Sequence, residues 1–215
     1  MISIRSFVPT LVVLSLAGCA TAPHPSSTAA LAVLSSDAGL HEKARACQEL
    51  AVYGGPEAVP ALAALLDQEH LADYARSGLE AIHDSAAGKA LLQALPRVKG
   101  RFLAGVVNSL GVRREIAAVP DLQKLALDAN SGVAAEALAS LGMIGTPESS
   151  KTLQQVLTEG PSDLRIPAAH ASLAAAVQLA RDGNPGAARG LLESIVRALP
   201  PGHLSTVARN QAAAL

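Results

Sequence analysis

The sequence predicts an all-α fold, a solenoid of about five stacked helical pairs, on three observations. Leucines recur in register. In the first helices of the pairs they are Leu50, Leu79, Leu110, Leu141 and Leu179, with steps of 29, 31, 31 and 38. In the second helices they are Leu62, Leu91, Leu122, Leu153 and Leu191, with the same steps. The second observation is helix-start chemistry at the corners inside the pairs. The third is an apolar stripe on each helix, as in Leu62, Leu65 and Leu66 or Leu122, Leu125 and Leu127, at the spacing of one helical face. A single pair cannot bury its own stripe, whereas stacked pairs bury a shared core.

The first pair, Ala44 to Leu66, turns at Gly54-Gly55-Pro56. Gly55-Pro56, Thr146-Pro147 and Asn184-Pro185 each place a capping residue before a proline at the first helical position, where a missing N–H costs nothing. Asp84 is the expected cap of the second helix in the second pair, and Glu57 and Glu148 sit near positive dipole ends. Gly54, Gly111 and Gly142 are expected as left-handed C-caps of the first helices. The second pair runs from Leu71 to Leu95, and the third from Lys99 to Asp128 through Gly111-Val-Arg-Arg-Glu. The fourth starts at Asn130-Ser131. The stretch Thr158 to Pro167, with its two prolines and Gly160, is expected to be a loop that absorbs the longer last step, either functional or a tolerated insertion. Residues 203–215 look like the first helix of a sixth pair.

The motifs Ala-Val-Pro-Ala-Leu (58–62), Ala-Val-Pro-Asp-Leu (118–122) and Leu-Gly-Met-Ile-Gly-Thr-Pro-Glu (141–148) resemble the HEAT-repeat family, over roughly residues 40 to 199. The period of about 31 is shorter than the usual HEAT range and is similar to the short bacterial HEAT-like repeats named after phycobilin lyases. The resemblance implies a right-handed α-α superhelix. Ankyrin and TPR periods are close, but their signature residues are missing and the chain has no Trp.

Residues 1–18 read as a targeting segment: Arg5 gives a positive start, and Phe7 to Leu16 is an apolar run too short to span a bilayer. Leu16-Ala17-Gly18-Cys19 resembles the lipobox of bacterial lipoproteins. That resemblance implies cleavage before Cys19, lipidation of its sulfur, and attachment to the membrane; Ala20 after the Cys favours the outer membrane. Residues 19–38 are expected to be a flexible lipidated tether, with Leu31, Val33 and Leu34 able to form a short helix capping the array, and 39–215 the solenoid. His24, between two prolines, is expected to be solvated.

The sequence offers little catalytic chemistry. The six histidines lack metal spacing, and Cys47 is the only cysteine besides Cys19, so neither a zinc knuckle nor a Cys-x-x-Cys pair is present in the sequence. No nucleophile elbow or phosphate loop appears. The expectation is therefore no catalytic residues, no cofactor and no metal. Cys47 shares its register with Val107 and Leu138, which suggests a small buried hydrophobe; an intermolecular disulfide is the alternative. Arg76, at the same register in the second pair, does not fit that rule.

Charge is the one patterned polar feature. Residues 37–85 hold nine acids and three bases, and residues 86–127 hold seven bases and two acids. Arg97, Lys99, Arg101, Arg113 and Arg114 are the candidate partner-binding residues, and the alternative is an ordinary solvated surface. After loss of Arg5 the remaining chain carries 16 Lys+Arg against 18 Asp+Glu, which with 2% aromatic content disfavours nucleic acid. The expected function is a membrane-tethered, non-catalytic scaffold that binds an unidentified envelope protein, on the periplasmic side of the outer membrane. The alternatives are an enzyme-assisting or lyase-like protein and a lipoprotein that binds the cell wall through those five basic residues.

Overall fold

The computed structural model describes residues 23–128 and 130–215. The targeting segment 1–18 and Cys19 lie outside these residues. In chain order the helices are α1 (Pro25–Ser35), α2 (Leu40–Tyr53), α3 (Val59–Ala63), α4 (Ala72–Ala81), α5 (Ser85–Ala94), α6 (Gly100–Val112), α7 (Val119–Leu127), α8 (Ala134–Ile144), α9 (Pro147–Glu159), α10 (Arg165–Arg181), α11 (Pro185–Ala198) and α12 (His203–Ala214). There is no strand among the described residues. The five expected pairs are α2/α3, α4/α5, α6/α7, α8/α9 and α10/α11, with α12 following as a half-unit.

All ten marker leucines are fully buried, at 0% exposure. Each contributes roughly 1.5–3 kcal/mol of burial. They belong to one continuous apolar cluster that runs from Ala30 in α1 to Ala208 in α12. The first helices pack on one another in succession, α2 on α4, α4 on α6, α6 on α8 and α8 on α10. In the second layer α7 meets α9 and α9 meets α11, but α5 and α7 make little contact. The molecule is an all-helical repeat solenoid.

The corners follow local chemistry. Asp84 accepts from the Ala86 amide at 2.8 Å, and Thr146 from Ser149 at 3.1 Å. Asn184 does not cap; its amide nitrogen donates to the Asp182 carbonyl instead. Pro56 opens a short 3₁₀ turn, Pro56–Ala58, before α3, and the equivalent turn before α7 is Ile116–Ala118.

The glycines act differently from expectation. Gly111 and Gly142 lie inside α6 and α8, one residue past the marker leucines. A Cβ on Gly111 would stand 2.7 Å from Ser140 Cα, and one on Gly142 would stand 2.5 Å from the Ala171 carbonyl oxygen. These glycines let neighbouring first helices touch backbone to backbone. Ser140 uses the same approach to donate from Oγ to the Val107 carbonyl at 2.8 Å. Gly54 is extended, with φ −74°. The left-handed cap sits four residues past the marker, at Gly145 (φ 65°) and Gly183 (φ 80°).

The stretch expected as a loop, Thr158 to Pro167, is non-helical only over residues 160–164. α9 continues to Glu159 and α10 begins at Arg165, so the long last step lengthens helices rather than a connection. The tether boundary also moves. Residues 25–35 form α1, and it packs on α2. His24 caps α1 by accepting from Ser26 at Nδ1 and stacks on Tyr53 at 4.5 Å between ring centroids. Ser27, fully buried, donates from Oγ to Glu57 Oε1 at 2.7 Å, and Gly55 N–H donates to the same oxygen at 3.0 Å.

The Ser27 hydroxyl is the main cause that holds the Glu57 carboxyl below its usual range, against burial, which raises it; backbone N–H groups assist. A carboxyl whose folded pKa is depressed adds stability above its unfolded pKa, about 4.3, and that stability is lost as pH falls through the folded value. Acidification below about pH 4 is therefore expected to loosen α1 first. Ser27→Ala is expected to weaken α1 docking by about 1 kcal/mol at neutral pH and to flatten this acid dependence. Hydrogen exchange of the α1 amides, corrected for the intrinsic pH dependence of exchange, at pH 7 and at about pH 3 reads both effects.

Candidate partner-binding surface

The five basic residues proposed for partner binding sit around the second and third pairs, and the structure gives them unequal roles. Arg113 is half-buried at the end of α6. Its Nη1 donates to the carbonyls of Leu79 at 2.8 Å, Glu80 at 3.0 Å and Ile82, and its Nη2 to that of Asp84 at 3.1 Å. These oxygens belong to the C-terminal end of α4 and the corner after it, where helix carbonyls lack intrahelical donors and the dipole is negative. Arg113 thus caps a helix of the preceding pair, and its guanidinium is turned inward rather than toward a partner.

Arg114 reaches the other way. Nη2 donates to the Ile144 carbonyl at 3.2 Å and pairs with Asp182 Oδ2 at 3.0 Å, linking the corners of the third, fourth and fifth pairs. Its φ of 52° matches Gly145 and Gly183, which are the equivalent residues of the next two pairs. A side chain in the left-handed region costs roughly 1–2 kcal/mol. Arg114→Ala keeps that strain and loses both contacts, while Arg114→Gly loses the contacts and relieves the strain. The expected order of stability places Arg114→Gly about 1 kcal/mol above Arg114→Ala, measured by urea denaturation.

Arg101 donates from Nη2 to the Glu69 carbonyl at 2.6 Å, pairs with Asp73 at 3.4 Å, and lies over the Phe102 ring at 4.4 Å. Arg97 makes one long contact, 3.5 Å to the Ala63 carbonyl, and stays exposed. Lys99 is exposed at the start of α6, and its side chain makes no hydrogen bond or ion pair to the other described residues. Among the described residues Arg101–Asp73 is the one ion pair between the basic third pair and the acidic second pair, and Arg113 meets backbone carbonyls there rather than carboxylates.

Arg76 has a similar explanation. At a register that is apolar in other pairs, its Nη1 meets Glu80 Oε1 at 2.6 Å and Ser109 Oγ at 3.2 Å, and Ser109 donates to the same Glu80 oxygen at 2.6 Å. A Cβ on Gly105 would come within 3.1 Å of Arg76 Nε, so that glycine makes room for the guanidinium. A buried charge needs a partner of this kind. The presence of Glu80 four residues after Arg76 is the sequence signal for it. Cys47 is fully buried, and burial pushes its thiol up to about 11. It packs as the small hydrophobe its register suggests, out of reach of an intermolecular disulfide.

One surface feature was not expected. Where α5 and α7 stand apart, an open groove of about 480 Å³ is lined by Leu92, Gln93, Leu95, Pro96, Leu103, Asp121, Lys124 and Leu125. Its sequence signal is the run Leu91-Leu92, which supplies one leucine to the core and leaves the next half-buried. Among the described residues no group of three or more His, Cys, Asp or Glu is placed to hold a metal ion, and no helix is long and apolar enough to cross a membrane.

Residues 88–174 match the family of HEAT repeats, a stretch that runs from α5 into α10. No curated protein matches the chain. The chain is an all-helical repeat solenoid whose central residues, 88–174, carry HEAT-like repeats.

Proposed function

We propose that this chain is a lipid-anchored, non-catalytic scaffold of the bacterial cell envelope, which holds a protein partner at a membrane through Cys19. The observation that carries the reading is the stacked array itself. Nearest-neighbour pairs with HEAT-like repeats build an extended surface with many exposed side chains, and helical solenoids of this kind generally serve as binding surfaces. Leu16-Ala17-Gly18-Cys19 supports the anchor, because this is the residue pattern that a lipoprotein peptidase and acyltransferase read. Two or more acyl chains give stable attachment where one gives only marginal binding.

Pro25, the first residue of α1, follows Cys19 by six positions. At about 3.5 Å per residue the leash is at most about 20 Å long. A partner would thus be membrane-embedded or close to the surface. Wall binding through Arg97, Lys99, Arg101, Arg113 and Arg114 loses support, because Arg113 is turned into the array and Arg101 and Arg114 each bridge pairs.

Cross-linking in intact cells tests the scaffold, comparing the natural chain with Cys19→Ala. Recovery of one specific envelope protein, reduced at least tenfold by Cys19→Ala, is the expected result. Recovery of no protein above background from either chain contradicts the scaffold, and equal recovery from both contradicts the role of the anchor.

A further inference from the structure

We propose that the outer face of the first-helix layer rests on the membrane to which Cys19 is attached. The inference rests on the lipid-anchor reading and names the surface that meets the bilayer. Two residues past the marker leucines stand Val52, Ala81, Val112 and Met143, with Arg181 in the fifth pair. One helical turn earlier, on the same face, stand Gln48, Ser77, Asn108, Ala139 and Val177. All are exposed except Met143, which is half-buried. Val52, Val112 and Val177 are 72%, 51% and 41% exposed, so much of each side chain lies outside the core. Nine of these ten positions are uncharged. Depletion of charge together with apolar exposure is the composition of a surface that is covered in use. Tyr53, beside Val52, and Tyr74, three residues before Ser77, are exposed as well. A phenol suits the boundary of a bilayer, where its ring meets acyl chains and its hydroxyl stays wet.

The strip is continuous across the helices. Gly111 and Gly142 bring α6, α8 and α10 backbone to backbone, and an open hollow of about 510 Å³ joins Val112, Met143 and Val177. Arg114 and Arg181 line the hollow, and no carboxylate does. Arg114 is paired with Asp182, whereas Arg181 makes no ion pair among the described residues. Glu49 and Glu80, beside the strip, are half-buried, and Glu80 is held by Arg76. Arg45 and Glu136 stand three residues before Gln48 and Ala139, at its border.

The leash determines what covers the strip. His24 stacks on Tyr53, the residue after Val52. Cys19 precedes His24 by five residues, so the lipid lies within about 20 Å of the first end of the strip. A surface tethered at that length meets the bilayer at an effective concentration on the order of millimolar. Shallow insertion of a few apolar side chains then holds the array down, with Arg181 placed to donate to a lipid phosphate. The strip is too shallow for a free partner, which has no tether to offset the cost of association. The second-helix layer is left facing away from the membrane, open to a partner.

The chain contains no Trp, so a single one reports its own surroundings. Val112→Trp and Val177→Trp place it on the strip, two and four pairs beyond the pair that holds the leash. Leu127→Trp places it at an exposed site of the second-helix layer. Each full chain is recovered from the membrane fraction and transferred to vesicles of phosphatidylethanolamine and phosphatidylglycerol with brominated acyl chains. The expected result is loss of about half the emission, with a blue shift, at both strip sites and about a tenth at Leu127. Val177→Asp in the Val112→Trp chain is expected to reduce the quenching about threefold, because a carboxylate resists transfer out of water.

Emission at Val112 or Val177 no more quenched than at Leu127 overturns the proposal, as does indifference to Val177→Asp. A blue shift that grows with protein concentration in detergent, without quenching in vesicles, assigns the strip to a second copy and also overturns it. Loss of the cross-linked partner in Val112→Asp, with the strip unquenched, assigns it to the partner, with the same consequence. The mass of each recovered chain separates this inference from the reading it rests on. A chain without lipid on Cys19 removes the anchor and the strip together. A lipidated chain with an unquenched strip removes the strip alone and leaves the anchor standing.

Discussion

Gly142→Ala is expected to destabilise the array by about 2 kcal/mol and to split its unfolding into two transitions. In an ordinary helix interior this substitution is favourable by roughly 0.5–1 kcal/mol, because alanine loses less backbone freedom. Here the added methyl carbon would lie 2.5 Å from the Ala171 carbonyl oxygen and 2.8 Å from Ala171 Cα. Both are backbone atoms and cannot swing aside as a flexible side-chain end does. α8 and α10 would have to separate, and overpacking of this kind typically costs 1–3 kcal/mol beyond what propensity returns. Stability in a stacked array is a sum over neighbouring interfaces. Weakening α8 on α10 would therefore uncouple α10, α11 and α12 from the units before them. Urea denaturation followed by far-UV circular dichroism reads the loss, and hydrogen exchange shows which helices open first. Net stabilisation by the substitution would contradict the close approach.

Arg113→Ala is expected to cost about 3 kcal/mol, and Arg113→Lys to recover less than half of it. The guanidinium satisfies four carbonyls at the end of α4 and the corner that follows. Hydrogen bonds from a charged donor contribute more than neutral ones, and the oxygens left behind are partly desolvated. Lysine keeps the charge but presents a compact ammonium, which cannot span the same oxygens as the planar fork. Urea denaturation measures the stability, and the exchange rates of the α4 amides localise the damage. The same variants separate two roles for this residue. A capping role changes stability and the order of Ala > Lys in damage, whereas a partner contact would weaken binding with the stability unchanged.

The spacing of the ten marker leucines was legible in the sequence because each fills the same buried position, and burial repeats with the fold. Asp84 and Thr146 were legible because an N-cap is a local event. Gly111 and Gly142 were misread for the opposite reason. Their reason for being glycine lies on another helix 30 residues away, whereas a C-cap is the local explanation a single chain suggests. The true caps, Gly145 and Gly183, were obscured because their equivalent in the third pair is Arg114. α1 was read mainly as part of a flexible tether because its segment is rich in Pro, Ser and Thr; its docking depends on Ser27 meeting Glu57 across the first corner. The basic cluster was visible as composition. That Arg113 points inward while Lys99 remains exposed depends on which carbonyl ends the stacking brings near, and no local pattern records that. The groove between α5 and α7 leaves only a partial trace in the sequence, the run Leu91-Leu92, because the gap itself is set by the separation of two helices.

The proposed location depends on one atom, the sulfur of Cys19, so the most direct test is the mass of the chain recovered from the membrane fraction of cells that produce it. The account predicts a chain that begins at Cys19 and carries diacylglycerol on the sulfur, with or without a third acyl group on the new amine. A chain that retains the residues before Cys19, begins at another position, or carries an unmodified thiol there would contradict it.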